Sequence, residues 1–251
     1  MKISSSEHLV TILIPIYQST LTYEESLSLR QCMLVLSAYP VKIVKPKSLQ
    51  LDDLCLAYPS IELISFEDAY FKDVEAYNKL MISSAFYESF ATFEYVLIYQ
   101  LDAYVFRDEL KEWCAKGYDY IGAPTLHQEA FDTLTAKDKN DYATALSGKR
   151  FVLNGGLSLR RVKSFIRYLG IYNRFYSAWK GNEDMLFSQE ATRLIPMKLF
   201  MKLPTWQEAI RFAFEKSPAA TFELTSHELP FGCHAWERYD PGFWRDYIPV
   251  R

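Results

Sequence analysis

The sequence lacks the short motifs that mark the commonest phosphate-binding and zinc-binding sites. Its 251 residues contain neither Gly-x-x-x-x-Gly-Lys-Ser/Thr nor Gly-x-Gly-x-x-Gly, which argues against nucleotidyltransferases and other enzymes that hold phosphates with such loops. The four cysteines form no Cys-x-x-Cys pair, so a zinc knuckle or a dithiol redox site has little support. They stand far apart, at Cys32, Cys55, Cys114 and Cys233, and indicate a reducing, cytosolic compartment.

Long apolar runs and an excess of positive charge are also missing. The apolar run Val10–Tyr17 is far shorter than the ~20 residues that span a bilayer, and the first residues, MKISSSEHL, show no secretory signal pattern. We therefore expect a cytoplasmic protein. With 28 basic and 31 acidic residues the formal net charge is −3, which argues against a nucleic-acid partner.

Aromatic residues, by contrast, are abundant. The chain has 18 Tyr, 17 Phe and 5 Trp, a surplus that suits either a site that stacks on flat rings and sugar faces or a bulky core. Apolar residues make up 49% of the sequence, and no internal repeat or linker interrupts it. We therefore predict a single domain with a large core.

The first half alternates short apolar runs, which predict buried strands, with helical patterns. A capping box at Thr22–Glu25 predicts the start of the first helix. The predicted strands are Val10–Tyr17, Val41–Val44, Ile61–Phe66 and Tyr95–Tyr99, and the predicted helices run from Thr22 to Ala38 and from Val74 to Phe93. This order favours an α/β fold with a mixed, mostly parallel sheet flanked by helices.

The second half is less regular. It contains a short strand pattern at Asp119–Gly122 and helical patterns from Val162 and over Glu183–Leu194. The polar stretch Leu126–Lys149 between them predicts a functional or mobile loop. The amphipathic stretch Leu199–Lys216 predicts a core helix with Glu208 and Glu215 on its polar face, peripheral membrane contact being the alternative.

Two segments at predicted strand ends are candidates for ligand binding. Asp102 follows the strand Tyr95–Tyr99, where a carboxylate can hold a divalent metal, and the alternative is an Asp that caps the next turn. Asn154-Gly-Gly-Leu-Ser158 offers two glycines that let the backbone approach a ligand closely. Its alternative is a turn or bulge before a helix capped by Ser158.

Two further segments can carry acid–base or metal chemistry. Asn182-Glu-Asp184 opens a predicted helix, so Asn182 is either an ordinary N-cap or the start of a segment that supplies a general base. His234 lies in the apolar segment Pro230–Trp236 and is either a metal ligand or a packed, hydrogen-bonded histidine.

The order of these segments resembles that of glycosyltransferases with the GT-A fold. It is closer still to an uncharacterised glycosyltransferase-like family known as a domain of unknown function. The segments that carry the resemblance are Tyr77-Asn78-x-Leu80, Tyr99-Gln100-x-Asp102-Ala103, Gly117–Pro124, Asn154–Arg160, Asn182-Glu-Asp184 and Pro230-Phe-Gly-x-His234-Ala-Trp236.

The resemblance implies a role for each candidate residue. Gln100 and Asp102 take the places of the Asp-x-Asp motif, in which the last acid holds Mn²⁺ or Mg²⁺, and Gln100 departs from the pattern because it carries no charge. His234 matches a histidine that completes the metal site. Donor binding is implied for Gln100, Asp102, Asn78, Asn154, Gly155 and Gly156. Glu183 and Asp184 match the catalytic acidic pair, with Asp184 as the base of an inverting reaction.

A single domain over 1–251 is implied, with a nucleotide-binding half at about 8–124 and an acceptor-binding, catalytic half at about 150–251. The expected activity is transfer of a hexose from a nucleoside-diphosphate sugar, most commonly a UDP-sugar, to a glycan or lipid-linked acceptor of polysaccharide biosynthesis. Such acceptors would place the protein at the inner face of a membrane. A non-catalytic nucleotide- or glycan-binding relative is the alternative, and the sequence leaves open inversion or retention at the anomeric carbon.

Overall fold

The computed structural model describes residues 9–125, 152–193 and 199–249, which form one six-stranded and one three-stranded sheet with surrounding helices. The strands are β1 (Val10–Pro15), β2 (Val41–Pro46), β3 (Glu62–Phe66), β4 (Tyr95–Tyr99), β5 (Ala103–Val105), β6 (Tyr120–Pro124), β7 (Leu153–Arg161), β8 (Ala213–Phe214) and β9 (Gly232–His234). The predicted loop Leu126–Lys149 lies outside the described residues.

Helices surround the sheets and connect most of the strands. The α-helices are α1 (Tyr23–Val35), α2 (Asp52–Ala57), α3 (Val74–Met81), α4 (Ser84–Glu88), α5 (Leu110–Ala115), α6 (Val162–Phe175), α7 (Glu183–Met185), α8 (Ala191–Arg193), α9 (Trp206–Phe212), α10 (Pro218–Leu224) and α11 (Pro241–Trp244). A 3₁₀ turn covers Asp68–Phe71, and a π-helical turn, Leu186–Glu190, joins α7 to α8.

The larger sheet has the strand order β3-β2-β1-β4-β7-β6. The pairs β3–β2, β2–β1 and β1–β4 are parallel, whereas β7 runs antiparallel to both β4 and β6. The mixed, mostly parallel sheet predicted from the sequence is therefore confirmed. Parallel pairing places the carboxyl ends of β1 and β4 side by side, which is the edge at which open α/β sheets bind ligands.

Both faces of the central strands are covered. In β4, Tyr95, Leu97 and Tyr99 face one apolar cluster, while Val96 and Ile98 face the other. A strand that is buried on both faces has a continuous apolar sequence, which explains why β1 and β4 could be recognised as apolar runs. Helices α4 and α6 pack on each other over the second cluster, so the ends of β4 are held in a rigid setting.

The start of α1 confirms the predicted capping box. The Glu25 amide donates to Thr22 Oγ1 (3.1 Å), and the Thr22 amide donates to Glu25 Oε2 (2.8 Å). The single helix predicted over Val74–Phe93 is wrong, because Ser83 is extended and separates α3 from α4. The Tyr87 hydroxyl donates to the Met81 carbonyl (2.8 Å) and thereby satisfies an acceptor at the end of α3.

Two interpretations of the second half are corrected. The Gly-Gly segment is not a turn before a helix capped by Ser158, since it lies within β7 and α6 begins at Val162. The bulge alternative is confirmed, because the pairing of β6 with β7 shifts register between Gly122 and Pro124, opposite this segment. Glu215 is not on the exposed face of a helix, because α9 ends at Phe212 and Glu215 follows β8, where it is 5% exposed. No helix within the described ranges is both long and apolar enough to cross a bilayer.

Candidate active site

A cavity of about 630 Å³ lies at the carboxyl ends of β1 and β4. Eight of the nine residues predicted for the site line it: Asn78, Gln100, Asp102, Asn154, Gly155, Gly156, Glu183 and Asp184. The ninth, His234, is in contact with two of them. The fold therefore brings together residues that are as much as 156 positions apart in the sequence, from Asn78 to His234.

Strand pairing explains how four of these residues meet. The Gln100 amide, just after β4, donates to the Gly156 carbonyl of β7 (2.8 Å). The chain then turns into β5, whose first residue, Ala103, pairs with His234 of β9. Gln100 and Asp102 are thus held between β7 of the large sheet and β9 of the small one.

Three side-chain atoms converge at this point. His234 Nε2 lies 3.1 Å from Asp102 Oδ1 and 3.3 Å from Gln100 Oε1. We call Gln100, Asp102 and His234 the polar trio. On the far side of the ring, His234 Nδ1 lies 3.5 Å from Glu215 Oε1. The imidazole is therefore placed between two carboxylates, of Asp102 and Glu215.

The two carboxylates determine the charge of the imidazole. Burial lowers the pKa of His234, but hydrogen bonding and charge from Asp102 and Glu215 outweigh it and raise the pKa to about 9. For Asp102, burial acts to raise the pKa, yet the contact with His234 brings it below the ordinary value. The site thus couples a cationic ring to two anions.

Asn154 links this group to β7. Its Nδ2 donates to Glu215 Oε1 (2.9 Å), and its Oδ1 accepts from the Gly156 amide (2.6 Å). Glu215 was not among the predicted site residues. The only sequence signal for it, an acid in an amphipathic stretch, is shared by many surface residues, whereas its burial depends on the pairing of β8 with β9.

The two glycines of β7 leave room for charged side chains. A Cβ on Gly155 would overlap the Glu183 carboxylate and lie 2.9 Å from an Arg160 guanidinium nitrogen. A Cβ on Gly156 would overlap the His234 ring and lie 2.6 Å from Gln100 Oε1. Both positions need glycine because of what packs against them, and not because the backbone turns there.

Gly156→Ala should disrupt the polar trio while keeping the fold. Because the new methyl group displaces His234 and Gln100, we expect the free energy of unfolding to fall by about 1–3 kcal/mol, the cost typical of an overpacked core, measured by calorimetry. The matched control is Gly170→Ala in α6, where a Cβ meets nothing within 4 Å. That helical substitution should raise stability by roughly 0.5–1 kcal/mol. Equal stability of the two variants would contradict the close packing described here.

The segment Asn182–Asp184 forms another part of the cavity wall. Asn182 is the N-cap residue of α7, as predicted, but its side chain makes no capping bond and its Oδ1 instead accepts from Asn78 Nδ2 at 3.3 Å. Glu183 is buried, and its Oε1 accepts from an Arg160 guanidinium nitrogen at 2.8 Å. Asp184 is less buried and faces the cavity.

Asp184 has the electrostatic character of a base for use near neutral pH. Burial, together with the nearby charges of Glu183 and Glu215, raises its pKa to about 6, against the opposing effects of the Met185 amide and Arg160. Its Oδ1 accepts from the Met185 amide (2.7 Å), which fixes the orientation of the carboxylate.

The cavity wall is strongly acidic. Its described lining contains six carboxylates, and Lys72 is the only lysine or arginine among these lining residues. The carboxylates are those of Glu25, Asp73, Asp102, Glu183, Asp184 and Glu237. An anionic ligand therefore meets a wall of its own charge sign unless a cation accompanies it.

The family described as "Protein of unknown function (DUF5672)" matches residues 60–234 of the chain. That range contains the polar trio, the two glycines of β7 and the Asn182–Asp184 wall. A search of curated proteins finds no match.

Solved glycosyltransferase structures share the arrangement of strands and helices. The galactosyltransferase LgtC, in complex with donor and acceptor sugar analogues, aligns with a TM-score of 0.51 and 12% identity over 89% of this chain and 86% of its own. The apo form of mouse xyloside xylosyltransferase 1 aligns with a TM-score of 0.50 and 10% identity over 91% of this chain and 97% of its own. At such low identities the likeness shows the fold alone.

Proposed function

The chain belongs to the DUF5672 family and has the fold of the GT-A glycosyltransferases, and from its cavity we propose that it transfers a sugar from a nucleoside diphosphate to an acceptor hydroxyl. The observation that supports this most directly is the joint placement of two kinds of group in one cavity. The polar trio, which suits a divalent cation, lies on one wall, and the Asp184 carboxylate, which suits a general base, lies on another.

The polar trio has the chemistry of a site for Mn²⁺ or Mg²⁺. Its atoms are two oxygens and an imidazole nitrogen that can bind a cation once it has lost its proton. Asp102 Oδ1 is buried and lies 3.1 Å from that nitrogen. Neighbouring ligands of an octahedral ion are roughly 3 Å apart, close to the 3.1 and 3.3 Å separations found here. Glu215 beside Nδ1 is placed like the carboxylates that orient ligating histidines.

Gln100 completes this set where an acid would be usual. Within the residues that the structure describes, no group of three or more His, Cys, Asp and Glu side chains is arranged to hold a metal. The site therefore depends on a neutral amide oxygen as its third ligand. We propose that Asp102, His234 and Gln100 hold the cation.

The acidic wall explains why a cation is needed. A diphosphate carries at least two negative charges, and the described lining offers it Lys72 as its single lysine or arginine. A bound divalent ion would offset that charge and stabilise the further charge that builds on the leaving diphosphate.

Asp184 is the residue that we propose to accept the proton of the attacking hydroxyl. With a pKa of about 6, its carboxylate is ionised at neutral pH and is more basic than an ordinary Asp. A side-chain base on this wall corresponds to inversion at the anomeric carbon. Asn78, Asn154 and the backbone of Gly155 and Gly156 line the space for the donor sugar. A UDP-sugar is the first donor to test, with a glycan or lipid-linked hydroxyl compound as acceptor.

A second candidate function is binding without turnover. The observation in its favour is Gln100, whose neutral side chain lowers the charge available to a metal ion. Such a relative would bind a nucleotide or glycan and would leave it unchanged.

The proposal is tested with the intact chain against a panel of nucleoside diphosphates and nucleotide sugars, each with Mn²⁺ and with a chelator. We expect one donor to raise the Tm only with metal, by an amount equivalent to ~2.7 kcal/mol at 100 times its dissociation constant. Slow metal-dependent hydrolysis of the same donor should accompany binding. Binding that ignores the chelator, with no turnover, would support the second candidate, and nucleotidyl transfer from a nucleoside triphosphate would refute both.

A further inference from the structure

A full positive charge lies in the core behind the cavity. The Arg160 side chain is 0% exposed, yet its guanidinium group makes four hydrogen bonds to oxygen atoms. It donates to Ser158 Oγ (3.0 Å), Tyr87 Oη (2.9 Å), the Gly155 carbonyl (3.1 Å) and Glu183 Oε1 (2.8 Å).

Aromatic rings enclose the remaining surface of the guanidinium group. Its central carbon lies 5.5 Å from the centre of the Tyr120 ring, 5.7 Å from that of Phe165 and 5.8 Å from that of Phe187. Rings at these distances attract the cation, and with the four hydrogen bonds they favour a single orientation of the group. The guanidinium group is thus a fixed point in the molecule.

The Arg160 guanidinium group joins two parts of the cavity wall. Through one terminal nitrogen, Arg160 binds both the Gly155 carbonyl of β7 and the Glu183 carboxylate at the start of α7. A buried ion pair of this kind contributes little net stability compared with apolar residues of the same volume. Its geometric effect is larger, because the planar guanidinium group fixes the distance and angle between both partners.

Glu183 is unsuited to be the base itself. One of its oxygens is bonded to Arg160, and the other, Oε2, is buried without a hydrogen-bond partner. Its negative charge nonetheless lies next to Asp184 in the chain, on the same short turn. The charged groups that act on Asp184 are Glu183 on its own helix, Arg160 from β7 and Glu215 from the segment after β8.

We propose that Arg160 and Glu183 are positioning residues for Asp184, in that Arg160 ties the turn that presents Asp184 to β7 and the Glu183 carboxylate is the anchor of that tie on α7. This inference rests on the proposed role of Asp184 as the base. Among the nearby charges, that of Glu183 has the largest effect in raising the pKa of Asp184, and that of Arg160 opposes it more weakly. The pair therefore acts on Asp184 with a net negative influence.

The test measures the titration of Asp184 without reference to activity. Aspartate carboxyl carbons are labelled with ¹³C in the full chain, and the Asp184 signal is assigned by its absence in Asp184→Asn. We expect a wild-type midpoint of about 6 and, in Glu183→Gln, a midpoint lower by about one pH unit because a like charge has been removed. The acid limb of the pH–rate profile should move by the same amount.

A second variant separates positioning from charge. Arg160→Lys keeps the cation but not the forked geometry, so kcat should fall at least tenfold while donor KM and the Asp184 midpoint stay unchanged. The control is Glu228→Gln, in an exposed pair with Arg211 (3.2 Å), which should change none of these values.

Three outcomes decide the inference. An unchanged Asp184 midpoint in folded Glu183→Gln would overturn it, as would full kcat in Arg160→Lys. If Glu183→Gln does not fold, the double variant Arg160→Met/Glu183→Gln removes both charges together, and its midpoint should still lie below that of wild type. A shifted midpoint in a protein that transfers no sugar would uphold the electrostatic coupling and refute the proposed function.

Discussion

Asp102→Ala should abolish metal-dependent donor binding and lower the rate of donor hydrolysis about 1,000-fold. Asp102 is the single acid of the polar trio, since Gln100 is neutral, so its loss leaves one imidazole and one amide for the cation. A metal ion contributes several kcal/mol of charge stabilisation, and each 1.4 kcal/mol corresponds to a tenfold change in rate. Calorimetric titration with Mn²⁺ and steady-state hydrolysis measure the two effects separately.

Two further variants make this result specific to the polar trio. Glu237→Gln removes a carboxyl group, whose pKa burial and neighbouring carboxylates raise to about 7, from the same cavity wall, and it should change the rate less than tenfold. Gln100→Asp supplies the missing acid and should tighten Mn²⁺ binding. If Asp102→Ala keeps metal-dependent hydrolysis within tenfold of wild type, the metal is bound elsewhere.

Asp184→Asn should lower transfer 100- to 10,000-fold, the range typical of a general base, and at the same time stabilise the protein at neutral pH. The native pKa of Asp184 is about 6, above the ~3.9 of an unfolded chain, so the native state favours the protonated form. This stabilising contribution is complete below pH ~4 and is lost as the pH rises through 6. Above pH 6 the charged carboxylate therefore makes the fold less stable than asparagine would.

The size of the gain follows from the shift of about two pKa units. At 1.36 kcal/mol per unit, the free energy of unfolding of Asp184→Asn should exceed that of wild type by at most about 3 kcal/mol at pH 7.5. At pH 4 the difference should nearly vanish. Urea denaturation at both pH values measures it, with exposed Asp246→Asn as the control, expected within about 0.5 kcal/mol of wild type. Equal stability of the two proteins at pH 7.5 would mean that the charged Asp184 carboxylate does not destabilise the native state.

The wild-type pH dependence belongs to the same prediction. Because the base must be ionised, kcat/KM should fall about tenfold per pH unit below 6 and level off above it. An acid limb centred near pH 4 would point to an ordinary exposed carboxylate in place of Asp184.

The central sheet was predictable because its signal is local. Strands β1 and β4 are short apolar runs, and the capping box before α1 is formed by residues three apart in the chain. The break between α3 and α4 was missed because the chain there replaces a helical backbone bond with one from a side chain, in which the Tyr87 hydroxyl donates to the Met81 carbonyl six residues earlier. A helical pattern carries no information about such a partner.

The order and types of the residues were enough to predict the nine site residues. The buried charged residues that contact them could not be predicted in this way. Asn154, Gly155 and Gly156 were singled out for donor binding, with a turn or bulge as the alternative, and only the structure shows Glu183 and His234 packed over the two glycines. Arg160 and Glu215 were not predicted, since a single arginine in a strand and a single acid after a helix resemble surface residues. Their burial results from β-strand pairing between distant parts of the chain.

The distant residues of the polar trio also determine when the site can form during synthesis of the chain. Gln100 and His234 are separated by 134 positions, and β9 can form only after that length of chain has been synthesised. Structures dominated by such distant pairings fold slowly, because the entropy of closing a long loop is lost before any contact forms. On a ribosome, the nascent chain would carry Asp102 and Asn154 long before it gained His234. The proposed cation site is therefore completed in one late step, so incomplete chains would lack one of its three ligands.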